Sequence, residues 1–251
     1  MVGDTTGARI RERTWTMVMK SRAAIETFIN NLSTYEAERV FNPWAMNCEH
    51  VDVEDSFGVR RENLRTVLHA CADANEVDVW IGRDLGWRGG RRTGVALVDE
   101  TSLDDYALSI EVAGLKKATV GPIMRERTAT EIHLARARVS RKLFFWNVFP
   151  FHPHEAGNSQ SNRMHTRKER DVGLAFLTSV LALLPVGRVV TIGNDATHAL
   201  ESADVTCYSV RHPSYGGQKE FHRQVNSHYG LLLDEDVQPD LFGNAFQGKE
   251  F

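Results

Sequence analysis

A glycine-rich segment that follows a short apolar run carries the first residues whose types and spacing suit chemistry. The apolar run covers residues 77–81, Gly82 is expected to end it, and Asp84 and Gly86 come next. Glycine permits tight turns and lets a ligand approach the backbone closely. A carboxylate at the carboxyl end of a buried strand lies where α/β sheets usually bind ligands. The other interpretation is a surface loop with a solvated aspartate.

Two further segments place polar side chains at the ends of apolar runs. Asn147 lies inside FFWNVFPFHPH, residues 144–154, and His212 begins HPSYGG, residues 212–217. An asparagine carboxamide offers both a donor and an acceptor, which suits reading the edge of a nucleic-acid base. A histidine can donate a hydrogen bond to negative charge that develops on a leaving group. Both residues can also be interpreted as turn residues that satisfy the local backbone.

Cysteine and histidine spacing gives no indication of a metal site. Cys48, Cys71 and Cys207 form no CxxC pair and are expected to be reduced thiols. Their number rules out a zinc or iron–sulfur site built from four cysteines. His152 and His154 are spaced as two ligands could be, but no third ligand is evident. The sequence therefore predicts neither a metal nor a cofactor.

Charge and hydropathy restrict the partners. The chain has 251 residues and a net charge of −3, so any nucleic-acid site must be a local basic patch rather than a property of the whole surface. No apolar run approaches the ~18 residues of a membrane span. The N-terminus lacks the apolar stretch of a signal peptide. We therefore expect a cytoplasmic protein with no membrane partner.

Segments with a helical pattern alternate along the chain with segments typical of strands, and these elements must position the polar residues. Helical patterns cover residues 13–32, 60–74, 129–139, 169–184, 195–201 and 218–229, and apolar runs typical of strands cover 77–81, 142–149, 188–192 and 205–210. This alternation predicts a three-layer α/β/α sandwich around a central, mainly parallel four-stranded sheet. The three polar turns can then meet at one edge of the sheet. We expect a single domain over 1–251 with a flexible tail over 232–251.

In their order and spacing, the three segments resemble the motifs of the uracil-DNA glycosylase superfamily over about residues 42–229. The resemblance implies that Asp84 handles the attacking water, that Asn147 reads uracil, and that His212 lies against the uracil carbonyl. It implies a DNA repair enzyme of the same fold that flips uracil out of DNA and hydrolyses its N-glycosidic bond, leaving an abasic site. The partner is then single- or double-stranded DNA that contains uracil. We expect a monomer, because the substrate is a large duplex.

The resemblance also assigns residues around these three. Residues expected at the base are Gly82, Gly86, Trp87 and Phe149, and those expected at the DNA are Arg88, Arg91, Arg163, Ser214, Tyr215, Gly217, Gln218 and Lys219. Arginine, lysine and backbone N–H groups at a helix N-terminus suit phosphate contacts.

The chain departs from the superfamily at four places. Where a related branch has a phenylalanine that stacks on the base, this chain has Leu97, so Phe149 or Trp87 is expected to stack instead. The third motif has Tyr215, Gly216 and Gly217 rather than a proline and an apolar wedge. One branch carries an iron–sulfur cluster on four cysteines, and this chain has three, so no cluster is expected. The best-known uracil enzymes place a tyrosine where this chain has Gly86, to exclude the thymine methyl, so thymine rejection must arise otherwise.

Two other functions remain open at this point. A protein of the same fold could bind uracil-DNA or damaged DNA without cutting it, because a fold does not fix a function. A nucleotide or nucleoside hydrolase could use the glycine-rich loop for phosphate. That loop lacks the GxxxxGK[ST] phosphate-binding signature, which counts against the hydrolase.

Overall fold

The computed structural model describes residues 22–231. Its helices are α1 (residues 22–33), α2 (Ser56–Ala72), α3 (Gly90–Thr93), α4 (Leu103–Ser109), α5 (Arg127–Arg136), α6 (Arg167–Leu181), α7 (Asn194–Glu201) and α8 (Gln218–Tyr229). Its strands are β1 (Val40–Phe41), β2 (Val77–Asp84), β3 (Leu143–Phe149), β4 (His152–Pro153), β5 (Val186–Ile192) and β6 (Tyr208–Val210). The start of the predicted first helix, residues 13–21, and the predicted tail, residues 232–251, lie outside the described residues.

A four-stranded parallel sheet, in the order β3-β2-β5-β6, forms the centre of the fold. Helices flank it, which confirms the predicted α/β architecture with a central parallel sheet. Strands β2 and β3 are buried along almost their whole length. Parallel strands covered on both faces read as continuous apolar runs rather than as alternating patterns. The sequence therefore reveals these two strands more clearly than the peripheral ones.

The core beneath the sheet is rich in aromatic side chains. Trp146 of β3 stacks on Trp44 with a ring-centroid separation of 6.1 Å and on Phe144 with 5.8 Å. Such rings bury large apolar areas, which is the main favourable contribution to folding. Helix α6 packs on β3, and a capping box between Thr166 and Glu169 fixes its first turn. These contacts hold the carboxyl ends of β2 and β3 in place.

Several predicted boundaries were wrong. Strand β2 does not end at Gly82 but continues to Asp84, because Gly82 and Asp84 pair with Asn147 and Phe149 of β3. Helix α2 begins at Ser56 rather than at residue 60, and β6 covers only Tyr208–Val210.

The sequence patterns also missed short elements. Helices α3 and α4 lie in the segment after β2, and β1 pairs with β4 in an antiparallel two-stranded sheet. Elements of this length are stabilised by tertiary contacts more than by their own periodicity. In the described part of the chain, no helix combines the length and apolar character needed to cross a membrane.

Candidate active site

A cavity of about 630 Å³ opens at the carboxyl ends of the sheet strands. It is lined by Gly82, Arg83, Asp84, Leu85, Gly86, Gly90, Leu97, Glu126, Thr128, Asn147, Asn162, Arg163, Ile192, Gly193, Asn194, Asp195, Arg211, His212, Ser214 and Tyr215. The structure thus brings all three predicted segments to one place. Ligand sites of α/β sheets occur at this edge.

Asn147 is the most constrained residue of the cavity. It is 1% exposed, and neither polar atom of its carboxamide has a hydrogen-bond partner among the described residues. Its neighbour across β2 and β3 is Gly82, where a Cβ atom would come within 2.5 Å of Asn147 Oδ1. Glycine at position 82 is therefore needed to leave room for the carboxamide, which lies free to pair with a ligand.

Asp84 accepts hydrogen bonds from both sides. Arg83 donates from Nε to one carboxylate oxygen at 2.7 Å and bridges to Asp195 at 2.8 Å. His165 contacts the other oxygen through Nδ1, and the side chains of Asp84 and His165 are both less than a tenth exposed. These partners fix the position of the Asp84 carboxylate in the cavity wall.

His212 lies at the opposite edge of the sheet, directly after β6. The backbone N–H of Ser214 donates to His212 Nδ1 at 3.2 Å, and Ser214 Oγ lies 2.6 Å from the same nitrogen. Nδ1 is therefore an acceptor, which assigns the ring proton to Nε2. Burial and the positive charges of Arg83 and Arg211 lower the pKa of His212, so the ring is neutral near pH 7.

The loop that follows His212 is exposed and conformationally unusual. Tyr215 is 99% exposed and has a φ of 53°. This is a left-handed backbone conformation that residues other than glycine rarely adopt. Leu97, which also lines the cavity, has a φ of 58°. Residues held in this region often lie at functional sites. Ser214 also lines the cavity. Gly217 is the N-cap of α8, which begins at Gln218 and carries the exposed Lys219 in its first turn.

Two other predicted base contacts, Phe149 and Trp87, are not part of the cavity lining. Phe149 is fully buried, with its ring packed on Tyr35 and Phe151, so its predicted stacking on a base was wrong. Trp87 is half-buried, is not part of the cavity lining, and its ring faces the Arg88 guanidinium at 4.9 Å. The apolar surfaces that do line the cavity belong to Leu85, Leu97 and Ile192.

Two of the predicted DNA contacts have structural partners instead. Arg91 is 3% exposed, packs over the Phe41 ring at 4.1 Å and donates to the Ser159 carbonyl at 2.9 Å. Its guanidinium is therefore too buried to reach a phosphate. Arg163 lines the cavity, but it forms a two-pronged ion pair with Glu169, at 2.7 and 2.8 Å.

Arg88, Arg211 and Lys219 are exposed, and Arg211 lines the cavity. Arg88 follows β2, Arg211 follows β6, and Lys219 lies in the first turn of α8. Phosphate groups are contacted by such side chains. These exposed cations place positive charge locally on a protein whose net charge is slightly negative.

Sequence reasoning missed His165 and Glu126. His165 lies in the polar segment after β4, and no pattern there distinguishes it from the neighbouring histidines. Glu126 is the residue before α5 and lines the cavity from a segment without a recognised motif. Both reach the site only because distant segments pack together.

The residues that could bind a metal are dispersed. Within residues 22–231 there is no group of three or more His, Cys, Asp or Glu side chains that could hold a metal ion. Cys48, Cys71 and Cys207 are free thiols, of which Cys71 is buried.

No protein-family model matches the chain, and no curated protein sequence matches it. Among solved structures, it is similar to wild-type SMUG2 from Pedobacter heparinus, with a TM-score of 0.58 and 11% sequence identity. The match covers 82% of this chain and 95% of that one. At this level of identity, the similarity shows a shared fold.

Proposed function

We propose that this protein is a DNA glycosylase that hydrolyses the N-glycosidic bond of uracil in DNA and leaves an abasic site. The observation that carries the proposal is the buried, unpaired carboxamide of Asn147, which shares one cavity with Asp84 and His212. The resemblance of the three motifs to the uracil-DNA glycosylase superfamily and the fold shared with SMUG2 both support it.

Asn147 is suited to read the base. A buried polar group without a partner costs about 1–3 kcal/mol, so a ligand that pairs with it regains that free energy. The carboxamide can accept from uracil N3–H and donate to O4. Cytosine presents the reverse pattern at the same edge, with an acceptor at N3 and a donor at N4. The same carboxamide orientation therefore rejects cytosine.

Asp84 is suited to the sugar side of the bond. Breaking the bond builds positive charge on the sugar, which a nearby carboxylate stabilises, and the carboxylate can also orient the attacking water. Arg83 and His165 hold the carboxylate in one position, which reduces the reorganisation required during the reaction. We assign Asp84 the catalytic role and His165 a positioning role.

His212 is suited to the leaving group. Departing uracil carries negative charge, and the Nε2–H of the neutral ring can donate to its O2 atom. In other enzymes, removing one fixed donor that faces a developing anion lowers the rate by about 10²–10³-fold. Because the Ser214 N–H holds the tautomer, the donor is in place before the substrate binds.

A base stacked in a duplex cannot reach this cavity, so it must be turned out of the helix at a cost of a few kcal/mol. Tyr215 lies at the cavity wall with an exposed ring that can occupy the space the base leaves. Arg88, Arg211 and Lys219 can contact the flanking phosphates.

The test is a cleavage assay on a labelled oligonucleotide with one central uracil, in EDTA, followed by alkali to break abasic sites. Thymine, hypoxanthine and xanthine at the same place are the controls. We expect cutting at uracil without added metal. Retention of uracil-DNA in a gel shift with no cutting would instead support a binding protein, and release of base from free nucleotides alone would support a nucleotide hydrolase.

A further inference from the structure

Glu126 fills a part of the cavity wall that the neighbouring glycines leave open. Its carboxylate oxygens lie against Gly86 and Gly89, so that a Cβ atom on either glycine would overlap them. The backbone N–H of Glu126 donates to Asp99 at 2.6 Å, which anchors the residue at the start of α5. The side chain of Glu126 thus occupies the space that any side chain larger than that of glycine would take at position 86.

The Glu126 side chain makes no capping hydrogen bond at the start of α5, and it lines the cavity. Burial and the negative charge of Asp99 raise its pKa to about 7, and Arg88 opposes this rise. Asp84 and Arg163 are charged groups on other parts of the same cavity lining. The carboxyl therefore changes its charge near neutral pH while facing the ligand space.

The geometry of a bound uracil directs one edge toward this wall. The ring atoms C2 and C5 lie on opposite sides of a pyrimidine, so a base whose O2 meets His212 turns C5 away from β6. Strand β5 separates β6 from β2, and Gly86 follows β2. C5 therefore points to the side of the cavity that Gly86 and Glu126 form.

We propose that Glu126 selects bases by their substituent at C5, admitting a hydrogen atom and rejecting a methyl group. This inference rests on the proposed function and accounts for the exclusion of thymine in a chain with Gly86. A methyl group at C5 would clash with the Glu126 carboxyl. It would also displace water from that carboxyl without offering a hydrogen bond in return. Burying a polar group without a replacement partner is unfavourable.

The test compares excision of uracil and thymine, each opposite guanine, by the wild-type protein, Glu126→Ala and Glu126→Gln. We expect Glu126→Ala to raise the thymine-to-uracil ratio of kcat/KM by about tenfold or more, the scale of one methyl group in a binding pocket. Glu111→Ala is the matched control, because the Glu111 side chain is 81% exposed and pairs with Lys142. It should leave the ratio unchanged.

A pH series gives a second readout. Because the pKa of Glu126 is raised to about 7 from its usual 4.5, the carboxyl is neutral below that pH and ionised above it. A charged group costs more to desolvate, so the wild-type thymine-to-uracil ratio should fall between about pH 6 and about pH 8. Glu126→Gln cannot ionise, so its ratio should not change in this range.

The outcomes separate the two proposals. If the wild type excises uracil but neither Glu126 variant changes the ratio by more than about threefold, against the factor expected for a methyl group, the role of Glu126 is wrong and the glycosylase assignment stands. If the folded wild type excises no uracil, the proposed function fails, and the selection by Glu126 fails with it.

Discussion

The two sides of the cavity differ in how they are built. Asn147 and Asp84 belong to paired strands in the buried centre of the sheet, whereas Tyr215 lies on an exposed loop between β6 and α8. Groups on packed strands hold their geometry closely, which recognition of a base edge requires. Exposed loops tolerate the approach of a large partner. Under the proposed function, we therefore expect the strands to supply the chemistry and the loop to supply the contact with DNA.

The largest effect is expected on the strand side, from Asp84→Asn. Loss of the negative charge beside the sugar should reduce single-turnover uracil excision by about 10²–10⁴-fold, the range of a positioned catalytic group. Asp171→Asn is the matched control, since Asp171 is exposed on α6. Near-normal excision by a folded Asp84→Asn variant would show that the carboxylate is not part of the reaction.

Asn147→Leu tests whether the unpaired carboxamide is kept for the ligand. Leucine has a similar volume and no polar atoms, so it should stabilise the fold by about 1 kcal/mol while lowering uracil excision by about 100-fold or more. Urea denaturation and the cleavage assay measure the two changes on one sample. A variant that loses both stability and excision would indicate a structural role for Asn147 instead.

A smaller effect is expected on the loop side, from Tyr215→Ala. Loss of one base–aromatic contact, worth about 1–3 kcal/mol, should lower excision from duplex DNA by about tenfold and affect single-stranded DNA less. Thermal stability should stay close to that of the wild type, because an exposed side chain contributes little. Tyr208→Ala is the control, because it removes the ring of a half-exposed tyrosine on β6. Equal losses on both substrates would contradict a role in opening the duplex.

The smallest effect is expected from Lys219→Ala. If this exposed lysine at the start of α8 contacts one phosphate, the slope of log affinity against log salt should become less negative by about 0.9 for a duplex. Lys116→Ala, at an exposed lysine outside the cavity lining, is the control. An unchanged slope would remove Lys219 from the DNA-binding surface.

Sequence reasoning located the central elements because their patterns are strong. Strand β3 was predicted within one residue and α8 at its observed bounds, since one is a continuous apolar run and the other an amphipathic helix. The short elements α3, α4 and β4 carry no such pattern. Asp84, Asn147 and His212 were singled out because each lies in or beside a recognisable run, and the structure brings all three to one cavity.

The rest of the site could not be predicted because burial and pairing depend on distant segments. Arg91 was predicted to contact DNA together with Arg88, yet it is 3% exposed and its guanidinium packs over the Phe41 ring. His165 and Glu126 reach the cavity from segments with no motif of their own.

By itself, the sequence determined the alternation of helices and strands, the parallel sheet and the three polar turns at its edge. Local periodicity and turn chemistry depend on residues that are neighbours in the chain, so they can be recognised from the sequence alone. The tertiary structure alone decided that Phe149 lies in the core, that His165 holds Asp84, and that Glu126 closes the wall above Gly86. Those outcomes depend on the close packing of side chains far apart in the chain, and no local pattern encodes that packing.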